Sequence, residues 1–331
     1  MTGAIARPAV LLCALLCALP AWAAANDARD WLARMEQAVE STSYEGTFVH
    51  MVGNQVETMH VIHRSLDGEV SERLFSRDQP GREILRNNDR VTCIFSDKRT
   101  VLVEHRKERS GAPLLSSLPG DSDDTERWYE FREAGDGRKL GRSVKVIEIR
   151  PRDAYRYGHR LWLDQITAIP LKVQLLHPEG LIVEQIQFVS MVAPAEIPDA
   201  RLMPDVDTEG FQWFEQSRTP LDEADSAERP EWGVAEPPPG FSLKEAGTRQ
   251  LPGSERPVEH LVYSDGLATV SVFVEPVGET DQALSGLSRM GAAHAFTLVL
   301  DERQITAVGE VPARTVERLA RSVQRVGADG Q

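Results

Sequence analysis

Cysteine is almost missing from this chain. Of 331 residues only three are cysteine, and Cys13 and Cys17 lie in an N-terminal segment that reads as a cleavable signal. Cys93 alone would remain, which excludes an internal disulfide and any paired-thiolate metal site such as CxxC. Long apolar runs are equally scarce: beyond residue 24 no window reaches the roughly eighteen apolar residues that a membrane-spanning helix needs. Positive charge is short, with 37 Lys and Arg against 51 Asp and Glu and a net charge of −14. A chain of that sign lacks the basic field that neutralises nucleic-acid phosphates, so no nucleic-acid partner is expected. The familiar catalytic signatures GxSxG, HExxH, the Walker loop, GxGxxG and EF-hand spacing are absent as well.

The N-terminus has a shape of its own. Arg7, the apolar run "PAVLLCALLCALP" and the small-residue pattern "AWA" make residues 1–24 a secretory signal peptide, and the preceding Leu12 and Leu16 exclude a lipoprotein reading of Cys13 and Cys17. An exported, soluble protein is therefore expected. About 300 further residues exceed what one core usually serves, which favours two domains.

After the signal, "NDARDWLARMEQAVEST" spaces Trp31, Met35 and Val39 four apart, predicting a short amphipathic helix capped by Asn26 or Asp27. From Tyr44 to about Met191, runs rich in Val, Ile, Phe and Tyr alternate with turn signals such as "GN", "DG", "QPG" and "PEG", predicting an antiparallel meander of about ten strands, curved or partly closed. The Lys107–Thr125 interruption is polar and Gly/Pro-punctuated, with Leu114, Leu115 and Leu118 at its centre as a flap or a tucked loop. From Pro194 the chain turns acidic and Pro-rich. Residues 216–238 are taken as an interdomain linker, with "FQWF" at 211–214 pinned to the first domain. Beyond Pro239, two hairpins turning at "SDG" and "DER" precede a helix that begins near Pro312 and carries Val316, Leu319, Ala320 and Val323 on one face.

Charge is unevenly spread. Residues 127–160 hold ten Arg and Lys against five Asp and Glu, whereas residues 196–240 hold twelve acidic residues against three Arg. The basic stretch is either an ordinary solvated strand face or a contact for an anionic partner.

Three of eight histidines fall in "YEGTFVHMVGNQVETMHVIHR". A two-residue turn at Gly53 and Asn54 would oppose Phe48 with Met59, Thr47 with His60 and Tyr44 with His63. His50 and His63 then share a face but stand six positions apart, roughly 20 Å, and His60 points away, so no common metal is expected. Apolar residues occupy both faces of this hairpin: Tyr44, Phe48, Val52, Met59 and Val61 on one, and Val49, Met51, Val56 and Ile62 on the other. Either a helix and the core cover the two faces, or one lines a lumen for an acyl chain or apolar peptide; at 6% aromatics such a lumen suits flexible chains. Cys93, in "RVTCIFS", reads as a buried strand thiol, and nothing in the spacing of Asp153, His159 and Asp164 assembles them with a serine into a hydrolase.

Several segments resemble the MucB/RseB family of periplasmic regulators of envelope-stress sigma factors. "YEGTFVH", "ERLFSRDQPGREILRNNDRVTCIF", "YRYGHRLWLD" and "IPLKVQLL" carry the likeness in the first half. "PDVDTEGFQWF", "WGVAEPPPGFSL", "VSVFVEP" and "ITAVGEVPARTVERLARSV" extend it through the second, whereas the acidic "RTPLDEADSAERPE" departs from it. The resemblance implies an α+β protein without enzymatic activity or cofactor. Residues 25–215 would form an unclosed antiparallel barrel like those of the LolA and LolB carriers, and residues 239–327 a smaller sheet with a terminal helix. It implies binding to the periplasmic part of a single-span anti-sigma factor, shielding it from site-1 proteolysis until lipopolysaccharide or another acylated lipid displaces the regulator. A homodimer is compatible with this, and a lipid or lipoprotein carrier is the alternative. Arg150, Arg152, Arg156 and Arg160 are the candidate headgroup contacts, and Phe48, Met59, Val61, Leu114 and Leu115 the candidate apolar pocket or flap. Trp232, Phe241, Val272 and Phe273 are the candidate partner contacts.

Overall fold

The computed structural model describes residues 21–77, 82–88, 90–105, 123–194, 196–217, 230–250, 257–277 and 285–326. The chain opens with helix α1 (Ala21–Ser41). It starts upstream of the expected caps, because "AWAAA" consists largely of strong helix formers and Asn26 and Asp27 are absorbed into its interior. Of the residues expected on its apolar stripe, Met35 and Val39 are buried and Trp31 is half-buried at the core's edge, with Leu32 buried beside them.

Eleven strands follow: β1 (Tyr44–Val52), β2 (Gln55–Leu66), β3 (Glu69–Ser76), β4 (Arg82–Asn87), β5 (Arg90–Phe95), β6 (Thr100–His105), β7 (Tyr129–Lys139), β8 (Arg142–Pro151), β9 (Gly158–Asp164), β10 (Pro170–Leu176) and β11 (Ile182–Val192). With β12 (Gln212–Ser217) they form one sheet ordered β12-β6-β5-β4-β3-β2-β1-β11-β10-β9-β8-β7. Its ends are β12 and β7, so the sheet is unclosed. The β1–β2 register is the one expected from the Gly53–Asn54 turn, with Phe48 opposite Met59, Thr47 opposite His60 and Tyr44 opposite His63. Gly46 is required where β1 meets β11: a β-carbon there would fall 2.7 Å from the Ser190 carbonyl oxygen and 2.9 Å from the Phe188 ring. The "FQWF" segment does join the first sheet, but as a parallel partner of β6, a departure from the all-antiparallel meander.

The two faces of this sheet are covered by different means. Packed against β7, β8 and β2, α1 closes part of the inner face over Tyr44, Phe48, Val61, Ile149 and Leu161. On the outer face, the chain from Ile197 to Phe211 lies across β2 to β6. Val206 and Phe211 join Ile94, Val101 and Val103 there, while Arg64 pairs with Asp199 (2.5 Å), Arg73 with Asp205 (2.6 Å) and Arg201 with Glu45 (2.5 Å). Asp199 and Asp205 are more than four-fifths exposed, so each pair contributes little, and the apolar contact carries most of the attachment. Part of the acidic stretch is therefore bound within the molecule. At the β1–β2 tip the expectation of two covered faces fails: Met51 and Val56 stay 38% and 61% exposed, because the covering segment does not reach them.

The second unit has a six-stranded sheet, completed by a short pair of strands and a helix. Its strands are β13 (Trp232–Val234), β14 (Ser242–Gln250), β15 (Pro257–Ser264), β16 (Thr269–Pro276), β17 (Gly286–Met290), β18 (Ala293–Leu300), β19 (Arg303–Gly309) and β20 (Val323–Arg325), with α2 (Ala313–Arg321) before the last. The sheet order is β14-β15-β16-β19-β18-β17, and β13 pairs separately with β20. Residues 232–234, assigned above to the linker, are thus part of this unit, since Trp232 is buried in its core and needs a strand to hold it. As expected, Val316, Leu319 and Ala320 of α2 face inward.

A polar clasp joins the units at the β8–β9 connection. Arg156 is fully buried, paired with Asp265 of the second unit (2.7 Å) and Asp153 of its own (3.0 Å), and it donates to the Pro239 carbonyl. Its guanidinium lies 5.2–5.5 Å from the ring centres of Trp128, Tyr129 and Phe241. Tyr129 donates to the same Asp265 carboxylate at 3.0 Å, and burial followed by that charge holds its phenol well above the ordinary range. Gly240 (φ +84°) permits the approach: any β-carbon there would collide with the Trp128 indole at 2.4 Å. Just before Arg156, Tyr155 accepts from Thr315 (2.6 Å) and Arg318 (3.0 Å) of α2.

A buried charge stripped of its partner is expensive. Arg156→Ala should therefore cost about 3–5 kcal/mol, read as a lower urea midpoint, because it strips the buried Asp265 carboxylate of its cationic partner.

Candidate functional site

Register decides which side chains meet on the sheet's inner face. His50 stands opposite Glu57 on β2 and Ile186 on β11, Val52 opposite Glu184, and Leu74 opposite both Val61 and Ile84. Around them opens a cleft of about 550 Å³, a volume suited to a small ligand or a few residues of peptide. Phe48, Met59, Leu74, Ile84 and Ile186 make its apolar wall, and His50, Glu57, Arg82 and Glu184 its polar one. The far side comes from the second unit: Met290 and Gly291 at the β17–β18 turn, and Glu310 just beyond β19. That turn sits over the β1–β2 tip, where a β-carbon on Gly291 would lie 3.4 Å from a Val52 methyl. Near its mouth, Tyr157 approaches the Ala292 carbonyl at 3.4 Å and His294 at 3.3 Å.

The histidines go to separate carboxylates. His50 pairs with Glu184 (2.7 Å), His60 with Glu45 (3.0 Å) and His63 with Glu72 (3.4 Å), so none of the three shares a site with another. Burial lowers the His60 pKa despite Glu45, which itself sits below its usual value through hydrogen bonds to His60 and Arg201 that outweigh its burial. Glu310 stays open to solvent, yet the crowding of the cleft mouth raises its carboxyl above the ordinary range. Glu184 adds to that shift and His50 opposes it.

Of the candidate pocket residues, Phe48 and Met59 stand on the cleft wall, whereas Val61 is fully buried behind it. Leu114 and Leu115 lie outside the described residues. Among the candidate headgroup arginines, Arg156 must be withdrawn, since it is fully buried in the clasp. Arg150 and Arg160, with Arg132, converge on the nearly buried Glu148 at 2.5–2.9 Å, and those ion pairs hold the Glu148 carboxyl below its usual value against its burial. Arg152 donates to the carbonyls of Glu126 and Tyr129. Pairing of Arg160 with Glu148 and Gln174 puts Arg132, Arg150 and Arg160 on the outer face, opposite the cleft, because Glu184 aligns instead with Leu175 and His159. The candidate partner contacts also change. Trp232, Phe241 and Val272 are 1%, 4% and 0% exposed, core residues whose apolarity signalled burial, and Phe273 stacks on His260 at 4.5 Å.

Sequence reasoning missed Glu184, Arg82, Glu310 and Met290, which lie far apart in the chain and meet only through sheet order. The residues of the rejected hydrolase do not meet either. Asp153 binds Arg156, and Asp164 accepts the backbone N–H groups of Ile166 and Thr167. His159 is buried with its Nδ1 unpartnered.

An unclosed sheet whose inner face opens on a mixed apolar and charged cleft, roofed by a second small sheet, defines a two-unit binding protein. Its relatives identify it further. The model of the MucB/RseB N-terminal domain matches residues 27–206, and that of the MucB/RseB C-terminal domain residues 226–324. The chain belongs to the MucB/RseB family. It is 34% identical over 324 residues to the sigma factor AlgU regulatory protein MucB of Pseudomonas aeruginosa, covering 95% of this chain and 96% of that one. It is 27% identical over 312 residues to the sigma-E factor regulatory protein RseB of Escherichia coli K12, covering 88% and 89%. Among solved structures, the MucA/MucB complex of Pseudomonas aeruginosa superposes with a TM-score of 0.69 at 31% identity, over 91% of this chain and all of the other. MucB in complex with MucA(peri) gives the same values.

His159 offers a test of the inner face. Burial lowers its pKa to about 4, against the weaker opposing pull of Glu184. The ring is neutral in the fold but protonates below about pH 6.5 once unfolded, so acidification favours unfolding. Stability should fall by up to roughly 3 kcal/mol between about pH 6.5 and 4, and urea midpoints of His159→Leu should decline less steeply over that window.

Proposed function

We propose that this protein is a periplasmic negative regulator of an envelope-stress sigma factor. It binds the periplasmic segment of a membrane anti-sigma protein, keeps that segment from its first protease, and lets go when lipopolysaccharide or another acylated lipid is bound. The observation that carries this reading is the near end-to-end likeness to MucB, whose structure is solved together with MucA(peri). Regulation would be by occupancy, and the chemistry would belong to the protease.

The architecture supports it. We take residues 25–217 as the first domain and the chain from Trp232 onward as the second, since β12 ends at Ser217 and β13 pairs with β20. The cleft uses walls from both, so a ligand entering it acts on their relative placement. A coupling of about 1.4 kcal/mol between lipid and partner binding suffices for a tenfold change in partner affinity. The apolar wall at Phe48 and Met59 suits an acyl chain. Arg150, Arg152 and Arg160 remain our candidates for phosphate contacts, as Arg132, Arg150 and Arg160 around the single Glu148 leave positive charge unmatched on the outer face. A simple lipid carrier would also use the cleft, but it leaves the second domain, with a core of its own, without a task.

The test is protection. Incubated with its protease, the anti-sigma periplasmic segment should survive when this protein is present and be cut once lipopolysaccharide is added. Equal cleavage with and without the protein overturns the regulator reading. Arg150→Glu with Arg160→Glu should raise the lipopolysaccharide concentration needed for release by about tenfold. Unchanged release would remove the outer-face arginines from the scheme.

A further inference from the structure

Charge in the cleft is lopsided. Among its described lining residues three carboxylates, Glu57, Glu184 and Glu310, face a single guanidinium, Arg82, and His50 is engaged with Glu184. Glu184 and Glu310 line the opening from different domains, and the charge of Glu184 adds to the desolvation that raises the Glu310 carboxyl. Around Glu310 stand Glu184 on β11, His50 on β1, Glu57 on β2 and Arg82 on β4. From the first unit, Tyr157 on the clasp connection also feels Glu310, and from Glu310's own unit it feels Arg289 of β17. An anionic amphiphile entering this end would meet like charge. A cation would be held from both sides.

The occupant's backbone is also indicated. β17 is the terminal strand of the second sheet, all five of its residues are exposed, and Met290 at its end is both 82% exposed and part of the cleft lining. A terminal strand presents N–H and C=O groups that an extended chain can pair with, and alternate side chains of such a chain then point into the neighbouring pocket.

We propose that the cleft receives an extended peptide segment of the partner, with an apolar side chain against Phe48 and Ile186 and an adjacent Lys or Arg seated between Glu184 and Glu310. This deepens the function proposed above and rests on it only for the partner's identity. The lipid headgroup is thereby directed away from the acidic end.

Two short fluorescent peptides with the same apolar residues, one bearing lysine and the other glutamate, provide the probe for anisotropy titration of the full protein. The lysine peptide should bind about tenfold more tightly at low salt. The preference should shrink to a few-fold in Glu310→Gln, reverse in Glu310→Lys, and weaken as the pH falls through the raised Glu310 pKa. Glu310 is exposed, so unchanged urea midpoints should accompany these effects. Equal binding of the two peptides, preference for glutamate, no binding of either, or a lysine preference that survives Glu310→Lys each overturns the assignment. Protection of the anti-sigma segment separates the two readings. If Glu310→Lys protects it as well as the parent protein, the cleft assignment falls and the regulator stands. If the parent protein protects nothing yet prefers the lysine peptide, the regulator falls and the cleft assignment stands.

Discussion

The buried pair of Arg156 and Asp265 is the constraint on which the rest of the structure depends. Taking two charges out of water costs several kcal/mol per ion, and here the cost is offset by Asp153, the Tyr129 hydroxyl, the Pro239 carbonyl and three aromatic faces. Such a pair tolerates little displacement, since a shift of either unit leaves an uncompensated charge. Apolar contact alone would let the two sheets slide. The clasp instead sets one arrangement, and that arrangement brings Met290, Gly291 and Glu310 over the inner face of the large sheet.

Strand alternation then divides the labour between the sheet's faces. Glu184, His50 and Phe48 face inward to the cleft, while Gln185, Gln174 and Arg160 on neighbouring positions face outward. A step of one residue separates an acidic pocket from a basic surface. This lets one thin layer of protein carry opposite charges on its two faces, and it explains how a strongly acidic chain keeps an arginine-rich face.

Part of the charge asymmetry along the chain is resolved within the molecule. Residues 197–211 bring Asp199, Asp205 and Arg201 to partners on β1, β2 and β3, and the arginines of β7, β8 and β9 surround Glu148. What is left unmatched among the described residues is excess carboxylate in the cleft and excess guanidinium on the outer face. Membership of the MucB/RseB family fits a protein that works by holding a partner.

Much of this was legible in the sequence. Turn residues and alternation gave the β1–β2 register pair by pair, the C-terminal hairpins at "SDG" and "DER", and the α2 stripe, because these features depend on neighbours a few residues away. Failures occurred where distant segments decide. Trp232, Phe241 and Val272 looked like contact residues and are core, since apolarity reports burial without naming what buries it. Arg156, one of four similar arginines, became the clasp because Asp265, 109 residues away, meets it. The sequence by itself determined the strands, their turns and the family. Only the tertiary structure decided which charges face each other across the cleft, because that depends on sheet order and on how two units lock together, and neither leaves a local signal in the chain.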